Sequence, residues 1–308
     1  MSSSAIVPAE SAIARADAAP RLKAAVIGAG LLGLDLAERL NTSPVLSCAL
    51  VASRRSSASA LRRAAQLGCQ VSTEGIAAVV RADVDVVFDA SSAEAHGAHW
   101  AALASSDVLL VDLTPSSGGS MVTPTVNGVR AESDRHLSLV SCGGQAVLPV
   151  LDAIARNSER VGDVEVVTTV ASAGVGPATR DNLDEYLAIT GYAVERLTGS
   201  PGVKVLATIS PALPAPAFRA QITACAYGIQ PAALSGAVEA AADAVRRYAP
   251  GYEVSALSVA AGLVQATVTV TARAGRLPSF AGNVEIINAA AVTLAERYAR
   301  SREVGHRG

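Results

Sequence analysis

The stretch LKAAVIGAGLLGLDLAERLN, residues 22 to 41, constrains this chain more than any other. Apart from Lys23 its first six residues are apolar, as in a strand buried on both faces of a parallel sheet. Three glycines follow, Gly28, Gly30 and Gly33, and then an apolar spacing near 3.6 residues that marks a helix. A strand, a glycine turn and a helix make the first half of a βαβ unit. The turn lets a pyrophosphate approach the backbone, and the helix start supplies amide donors. Gly28, Ala29, Gly30, Leu31, Leu32 and Gly33 are therefore the expected cradle of a dinucleotide; the alternative is a glycine turn of purely structural use.

The pattern continues as an alternation. LSCALVAS, VDVVFDAS and VLLVDLT read as strands, with SASALRRAAQLG and AEAHGAHWAALAS as helices between them. Buried strands separated by helices predict a parallel sheet covered on both sides. After SCGGQAVLPVLDAIARN the character changes. VGDVEVVTTVA, VKVLATIS and FRAQITACAYG read as longer strands, AALSGAVEAAADAVRRYA as an amphipathic helix, and LVQATVTVTARAG as an antiparallel strand. The expected fold class is α/β: a Rossmann-type doubly wound parallel sheet with a second α+β domain, and a C-terminal helix returning to the first domain. The expected divisions are a flexible leader over 1–21, a dinucleotide-binding domain over 22–142, a substrate and dimerisation domain over 143–283, and the returning helix over 284–308.

Composition removes several classes of function. With 25 Lys and Arg against 27 Asp and Glu, and 3% aromatic residues, the chain has neither the field nor the stacking surface for nucleic acid. No apolar run reaches the ~20 residues of a bilayer span. The first 21 residues lack the basic start and apolar core of a signal peptide. Cys48, Cys69, Cys142 and Cys225 are far apart in sequence, with no paired spacing and no histidine cluster, so no metal site is expected and the cysteines are read as free thiols of a reducing cytoplasm.

Two local features carry chemistry. Where an acidic residue would bind the ribose of NAD, the chain reads Ser53-Arg54-Arg55-Ser56-Ser57, and guanidiniums beside hydroxyls suit a 2′-phosphate. NADP is the preferred cofactor on this reading and NAD the other; a solvated arginine loop is the structural alternative. Cys142, in LVSCGGQAVLP, sits where a strand gives way to a helix. There it is either a small buried hydrophobe or a nucleophile whose thiolate is stabilised by the helix start.

SCGGQAVLP resembles the TCGGQATIP segment of the acylating acetaldehyde dehydrogenases, which convert short aldehydes to acyl-CoA and commonly partner a 4-hydroxy-2-oxovalerate aldolase. VFDASSAEAH is similar to that family's FDATSA, VDLTPSS to IDLTPAA, GPATRDNLDEY to GPGTRANIDEF, YAPGY to YVPGY, and LPSFAGNVEI to LPAYAGNLDI. The matches run in order from about residue 22 to residue 300. The resemblance implies that Cys142 is the acyl-thioester nucleophile and that Gly28 to Leu32 cradle the pyrophosphate. It also implies that Gly174, Val175, Gly176, Pro177, Ala178, Thr179, Arg180, Asp181 and Asn182, with Asn283, complete the nicotinamide side. Coenzyme A is then the acyl acceptor or donor. The structural alternatives are a helix cap for Asn182 and a turn for Asn283.

The chain departs from this pattern at SPALPAPAFRAQ, where the family reads NPADPPMIMRDT. Arg219 is retained as a candidate substrate contact, but Ala220 stands where the family has the Asp assigned to proton transfer. Asp184, Glu185, Glu285, or the His96 and His99 pair are the candidates to replace it, the histidines being expected in a solvated or capping role. The stretch between YAPGY and LPSFAGN is short for the family, which favours a stand-alone enzyme over an aldolase complex; the resemblance and the alternating strands of the second domain imply a homo-oligomer. The expected activity is interconversion of an aldehyde and an acyl-CoA through a thioacyl-enzyme, with an NAD(P) cofactor. The alternatives are a semialdehyde dehydrogenase acting on an acyl phosphate and a catalytically weakened, cofactor-binding paralogue with a structural or regulatory role.

Overall fold

The computed structural model describes residues 21–54 and 57–305. The expected leader, apart from Arg21, and the expected cofactor residue Arg55 lie outside the described residues. The chain opens with β1 (Leu22–Ile27), α1 (Leu31–Thr42), β2 (Leu46–Ala52), α2 (Ala58–Gln66), β3 (Gln70–Ser72) and α3 (Ile76–Arg81). Next come β4 (Val86–Asp89), α4 (Ala93–Leu103), β5 (Leu109–Asp112), β6 (Ser120–Met121), α5 (Pro124–Asn127) and β7 (His136–Ser138). These seven strands form one parallel sheet in the order β3-β2-β1-β4-β5-β7-β6. From β1 the chain runs outward through β2 and β3, then returns to lay β4 and β5 on the other side. The reversal opens a crevice beyond the ends of β1 and β4, the place where such sheets bind ligands.

The second half contains α6 (Cys142–Arg156), β8 (Arg160–Ala171), α7 (Pro177–Asp181), α8 (Leu183–Thr198) and β9 (Val203–Ser210). It continues with β10 (Phe218–Tyr227), α9 (Pro231–Arg246), β11 (Tyr252–Ala260), β12 (Leu263–Val270) and α10 (Gly282–Gly305). Its sheet has the order β11-β12-β10-β8-β9, antiparallel except for the β8–β9 pair. Along β12 the alternation read from the sequence is present, with Val264, Ala266, Val268 and Val270 in the core; β10 alternates too, Phe218, Ala220, Ile222 and Ala224 pointing into the core while Arg219 and Gln221 are exposed.

The returning helix α10 packs against both cores. Ile286 and Ala289 join the core of the second sheet, while Ile287, Ala290, Leu294 and Tyr298 join that of the first. A buried ionic cluster fixes its register against α1. Arg39 donates to Asp35 Oδ2 at 2.6 Å and to Glu285 Oε2 at 2.7 Å, and Asn288 donates to Asp35 Oδ2 at 2.8 Å and to the Leu32 carbonyl at 3.0 Å. The glycine turn and the start of α10 are thereby held as one piece. Cys48 and Cys69, remote in sequence, become buried neighbours, and all four cysteines are free thiols. Among the described residues no helix is long and apolar enough to cross a membrane.

Candidate active site

Each glycine of the first turn has a distinct steric reason. A Cβ on Gly28, whose φ is +106°, would lie 2.5 Å from the Ala90 carbonyl oxygen, so the turn closes directly on the end of β4. A Cβ on Gly33 would lie 2.0 Å from the Gly28 carbonyl oxygen, so only glycine allows α1 to start against the turn. Gly30 faces open space and caps α1 with no side-chain hydrogen bond to the first-turn amides. Free amides, the positive end of a helix and room for a ligand fit a dinucleotide pyrophosphate.

Cys142 is built by an elbow. Val140 adopts φ +64°, a left-handed conformation that costs a β-branched residue strain, and it turns the chain sharply after β7. Ser141 then caps α6, its Oγ accepting from the Gly144 amide at 2.8 Å. Gln145, fully buried, donates to the carbonyls of Val122 at 2.8 Å and Leu139 at 2.9 Å, pinning the elbow from below. Cys142 is the first helical residue, as the strand-to-helix reading expects.

The second half supplies the opposite wall. The Ser141 hydroxyl pairs with Thr190 Oγ1 at 2.7 Å, and Thr190 Oγ1 lies 2.6 Å from the Tyr186 carbonyl oxygen, so α8 is tied to the start of α6. The Tyr186 hydroxyl donates to Thr168 Oγ1 at 3.2 Å and shares the cavity with the Cys142 sulfur, whose ionised form it favours. A Cβ on Gly143 would lie 2.2 Å from that hydroxyl oxygen. The first glycine of SCGGQ therefore makes room for a phenol, not for a ligand.

A cavity of about 320 Å³ connects these parts. The first sheet contributes Gly30, Leu31 and Leu32, Ala90 to Ser92 after β4, and Leu113 to Pro115 after β5. The second half contributes Ser141, Cys142, Gly174, Val175, Gly176, Thr179, Asn182, Tyr186 and Asn283. The Asn182 side chain accepts from the Ala93 amide at 3.0 Å, and it does not cap its own helix. Asn283 donates to the Gly174 carbonyl at 3.4 Å, while its buried Oδ1 has no partner within the protein.

Other expected site residues lie elsewhere. Ala29 is buried beside the turn, and Ser53 is buried at the end of β2. Arg54 is exposed, with its stem against Gly75. Arg180 and Asp181 are exposed on α7, where Arg180 donates to the Ser172 hydroxyl at 2.9 Å; the side chains of Pro177 and Ala178 are outside the described set. Arg219 lies on the exposed face of the second sheet and does not line the cavity, because strand alternation turns it away from Ala220.

The electrostatics correct one expectation. Burial pushes the Cys142 thiol up to about 11, although the Tyr186 hydroxyl and the Gly143 amide pull it down. The helix start alone does not give a standing thiolate. Burial likewise raises the Tyr186 phenol well above its usual value.

No carboxylate or imidazole lines the cavity among the described residues. Asp184 and Glu185 are exposed, and Glu285 is committed to Arg39. His96 and His99 are neither solvated nor capping. Both are buried on α4, each donating from Nδ1 to Oδ2 of Asp89 at the end of β4, at 2.9 and 2.8 Å. His96 Nε2 lies 2.9 Å from His136 Nε2, and Trp100 stacks on His136 with ring centroids 4.3 Å apart. His96, Asp112 and His136 bring potential ligand atoms within 4.8 Å of one another, yet both nitrogens of His96 already have protein partners. Burial raises Asp112 to about 6, and burial with the charge of His96 lowers His136 to about 4. Burial also works against Asp89, but the hydrogen bonds from His96 and His99 outweigh it and hold that carboxyl well below its ordinary range.

Tyr186 is the residue that sequence reasoning missed. The signal was present: GPATRDNLDEY ends in Tyr where the family segment ends in Phe.

A parallel nucleotide-type sheet, a second mixed sheet, and a cleft between them with a cysteine at a helix start define a two-domain dehydrogenase. Comparison with known proteins makes the class specific. Residues 23–130 match the family model described as semialdehyde dehydrogenase, NAD binding domain, and residues 142–278 the one described as prokaryotic acetaldehyde dehydrogenase, dimerisation. An acetaldehyde dehydrogenase of Streptomyces griseus is 48% identical over 93% of this chain and 93% of its own. One from Pectobacterium atrosepticum is 35% identical over 90% of this chain and 95% of its own. Aspartate semialdehyde dehydrogenase II of Vibrio cholerae shares the fold, with a TM-score of 0.62 at 16% identity, over 91% of this chain and 99% of that one. The chain belongs to the acetaldehyde dehydrogenase family.

Proposed function

We propose that this chain is an acylating aldehyde dehydrogenase, an NAD(P)-linked oxidoreductase that interconverts an aldehyde and an acyl-CoA through a thioester on Cys142. One observation carries the reading: the uncapped start of α1 at Gly30 and Cys142 at the start of α6 open into the same cavity. Gly28 to Gly33 would hold the pyrophosphate. Gly174 to Asn182 would hold the nicotinamide end with Asn283, whose unpartnered Oδ1 is a free acceptor for an amide. The bound cofactor supplies or accepts a hydride.

The chain's own groups do the rest. The Cys142 sulfur adds to the carbonyl carbon of the aldehyde or acyl thioester, and amides of the α6 start face the oxygen on which charge develops. In the aldehyde direction, loss of hydride from the resulting tetrahedral centre leaves an acyl group on sulfur, and coenzyme A removes it. The cavity walls, apolar at Leu31, Leu32, Val175, Val284 and Ile287, exclude water from that thioester. A small aldehyde suits the volume.

The preference for NADP over NAD rests on more than Ser53 and Arg54. A second cavity of about 820 Å³ shares Gly30 and Leu31 with the first and reaches Ser57, which caps α2, and Ser59 and Arg63 on it. A hydroxyl pair beside a guanidinium there suits a 2′-phosphate. Homo-oligomerisation through the second sheet accords with the matched dimerisation domain. We place the working boundaries at 22–142 for cofactor, 143–283 for substrate and dimerisation, and from 284 onward for the returning helix. An aldolase partner is not part of the proposal.

The test is direct. Purified protein is mixed with NADPH or NADH and a panel of acyl-CoA thioesters, and loss of nicotinamide absorbance is followed. Turnover with acetyl-CoA that is abolished by Cys142→Ala supports the reading; turnover that survives the substitution refutes it.

A further inference from the structure

The described residues lining the cavity hold two titratable groups, Cys142 and Tyr186. From α6, the loops after β4 and β5, and α10, the cavity receives hydroxyls, amides and hydrocarbon, but no carboxylate, imidazole or ammonium. The Tyr186 hydroxyl lies against the backbone of Gly143, next to the cysteine; it donates to Thr168 Oγ1 at 3.2 Å and interacts electrostatically with the Gly143 amide and the Cys142 sulfur. Thr168 in turn donates to the Leu206 carbonyl at 3.3 Å.

The position of Ala220 adds a second, independent observation. Ala220 is the direct partner of Thr168 across the β8–β10 pair, on the inward face of the sheet, and is fully buried. Side chains so paired have Cβ atoms about 5 Å apart. A carboxylate at 220 would therefore press on the site that Tyr186 and Thr168 now share. This chain has alanine there, and tyrosine at 186 where the family segment has phenylalanine. The two changes meet at one point in space.

We propose that the Tyr186 hydroxyl is the group that stabilises the Cys142 thiolate as it forms in this chain, in place of the carboxylate absent at position 220. The inference rests on the reading of Cys142 as the nucleophile. The step balances without redox change: before substrate fills the cavity the thiol gives its proton to solvent water entering the cleft, sulfur keeps the electron pair, and the phenol O–H stays intact. With neutral thiol the hydroxyl donates to Thr168 Oγ1; with thiolate it turns to the sulfur. When the sulfur–carbon bond forms and the CoA thiolate departs, it returns to Thr168. Burial opposes ionisation of the sulfur, and this donor offsets part of that cost.

Full-length protein without cofactor is treated with iodoacetamide across a pH series, and alkylation is read on the tryptic peptide spanning residues 136–156, whose single cysteine is Cys142. Tyr186→Phe is expected to slow alkylation below pH 9 by roughly tenfold or more, the weight of a hydrogen bond to a charged group. Thr168→Val removes the competing acceptor, so it is expected to speed alkylation several-fold. Opposite signs from two near-isosteric changes separate this role from simple loss of packing. Unchanged rates in both variants, or slowing in both, would overturn the proposal. In acyl-CoA reduction Tyr186→Phe lowers kcat and leaves the KM for the nicotinamide cofactor in place. If the alkylation shifts appear but Cys142→Ala still turns over, the functional reading fails and the Tyr186–Cys142 coupling stands.

Discussion

Gly143→Ala tests the construction of the site through a contact that can be calculated. The new Cβ would lie 2.2 Å from the Tyr186 hydroxyl oxygen, 3.0 Å from Thr168 Cγ2 and 3.1 Å from Tyr186 Cζ. Ordinary contact begins near 3.4 Å, so the phenol must withdraw by about 1 Å, and Tyr186 is 7% exposed with its helix tied to the elbow. Overpacking of this kind costs about 1–3 kcal/mol, and losing the bond to Thr168 adds about 0.5–1.5, so a total of about 2–4 kcal/mol is expected. In the Tyr186→Phe background the offending oxygen is gone, and the same substitution should cost about 1 kcal/mol, a coupling energy of roughly 1–3 kcal/mol. Urea unfolding of wild type, the two single variants and the double variant completes the cycle. Costs that add within about 0.5 kcal/mol would refute the placement of the hydroxyl over Gly143.

Three further expectations follow from other parts of the molecule. Arg39→Met leaves Asp35 and Glu285 without their shared cation, and both carboxylates are nearly or fully buried; a loss of about 3–5 kcal/mol in urea unfolding is expected, and a loss below about 1 would contradict the ionic link between α1 and α10. Arg63→Ala and Arg54→Ala should weaken NADPH binding at least tenfold more than NADH binding in titrations, with Arg63 the stronger effect; equal losses would show that neither meets a 2′-phosphate. His136 titrates near 4 in the fold, below its ordinary 6.5, so between these values the unfolded chain binds the extra proton and stability falls as pH falls. The difference in unfolding free energy between wild type and His136→Asn should therefore shrink from pH 6.5 to pH 4; a constant difference would show that His136 is not held neutral.

What could be read from the sequence was local. The turn at Gly28 to Gly33 and the elbow at Cys142 declare themselves because a strand, a few small residues and a helix are contiguous, and the steric demands act between near neighbours. The parallel sheet and the alternation along β12 were legible for the same reason. The rest depends on pairs remote in the chain. Tyr186 reaches a cysteine 44 residues away, Asp89 gathers two histidines that read as surface residues, and Glu285 is claimed by Arg39 across most of the sequence. The ionisation of Cys142 was misjudged in the same way: a helix start favours thiolate, but the burial that opposes it comes from walls contributed by both sheets.

The central claim is that the acyl group passes through the sulfur of Cys142. Protein without cofactor is mixed with acetyl-CoA, quenched in acid, and the tryptic peptide covering residues 136–156 is weighed by mass spectrometry. One acetyl group is expected on that peptide, removed by added coenzyme A and absent in Cys142→Ala. Full turnover with NADPH or NADH while that peptide stays unmodified would contradict it.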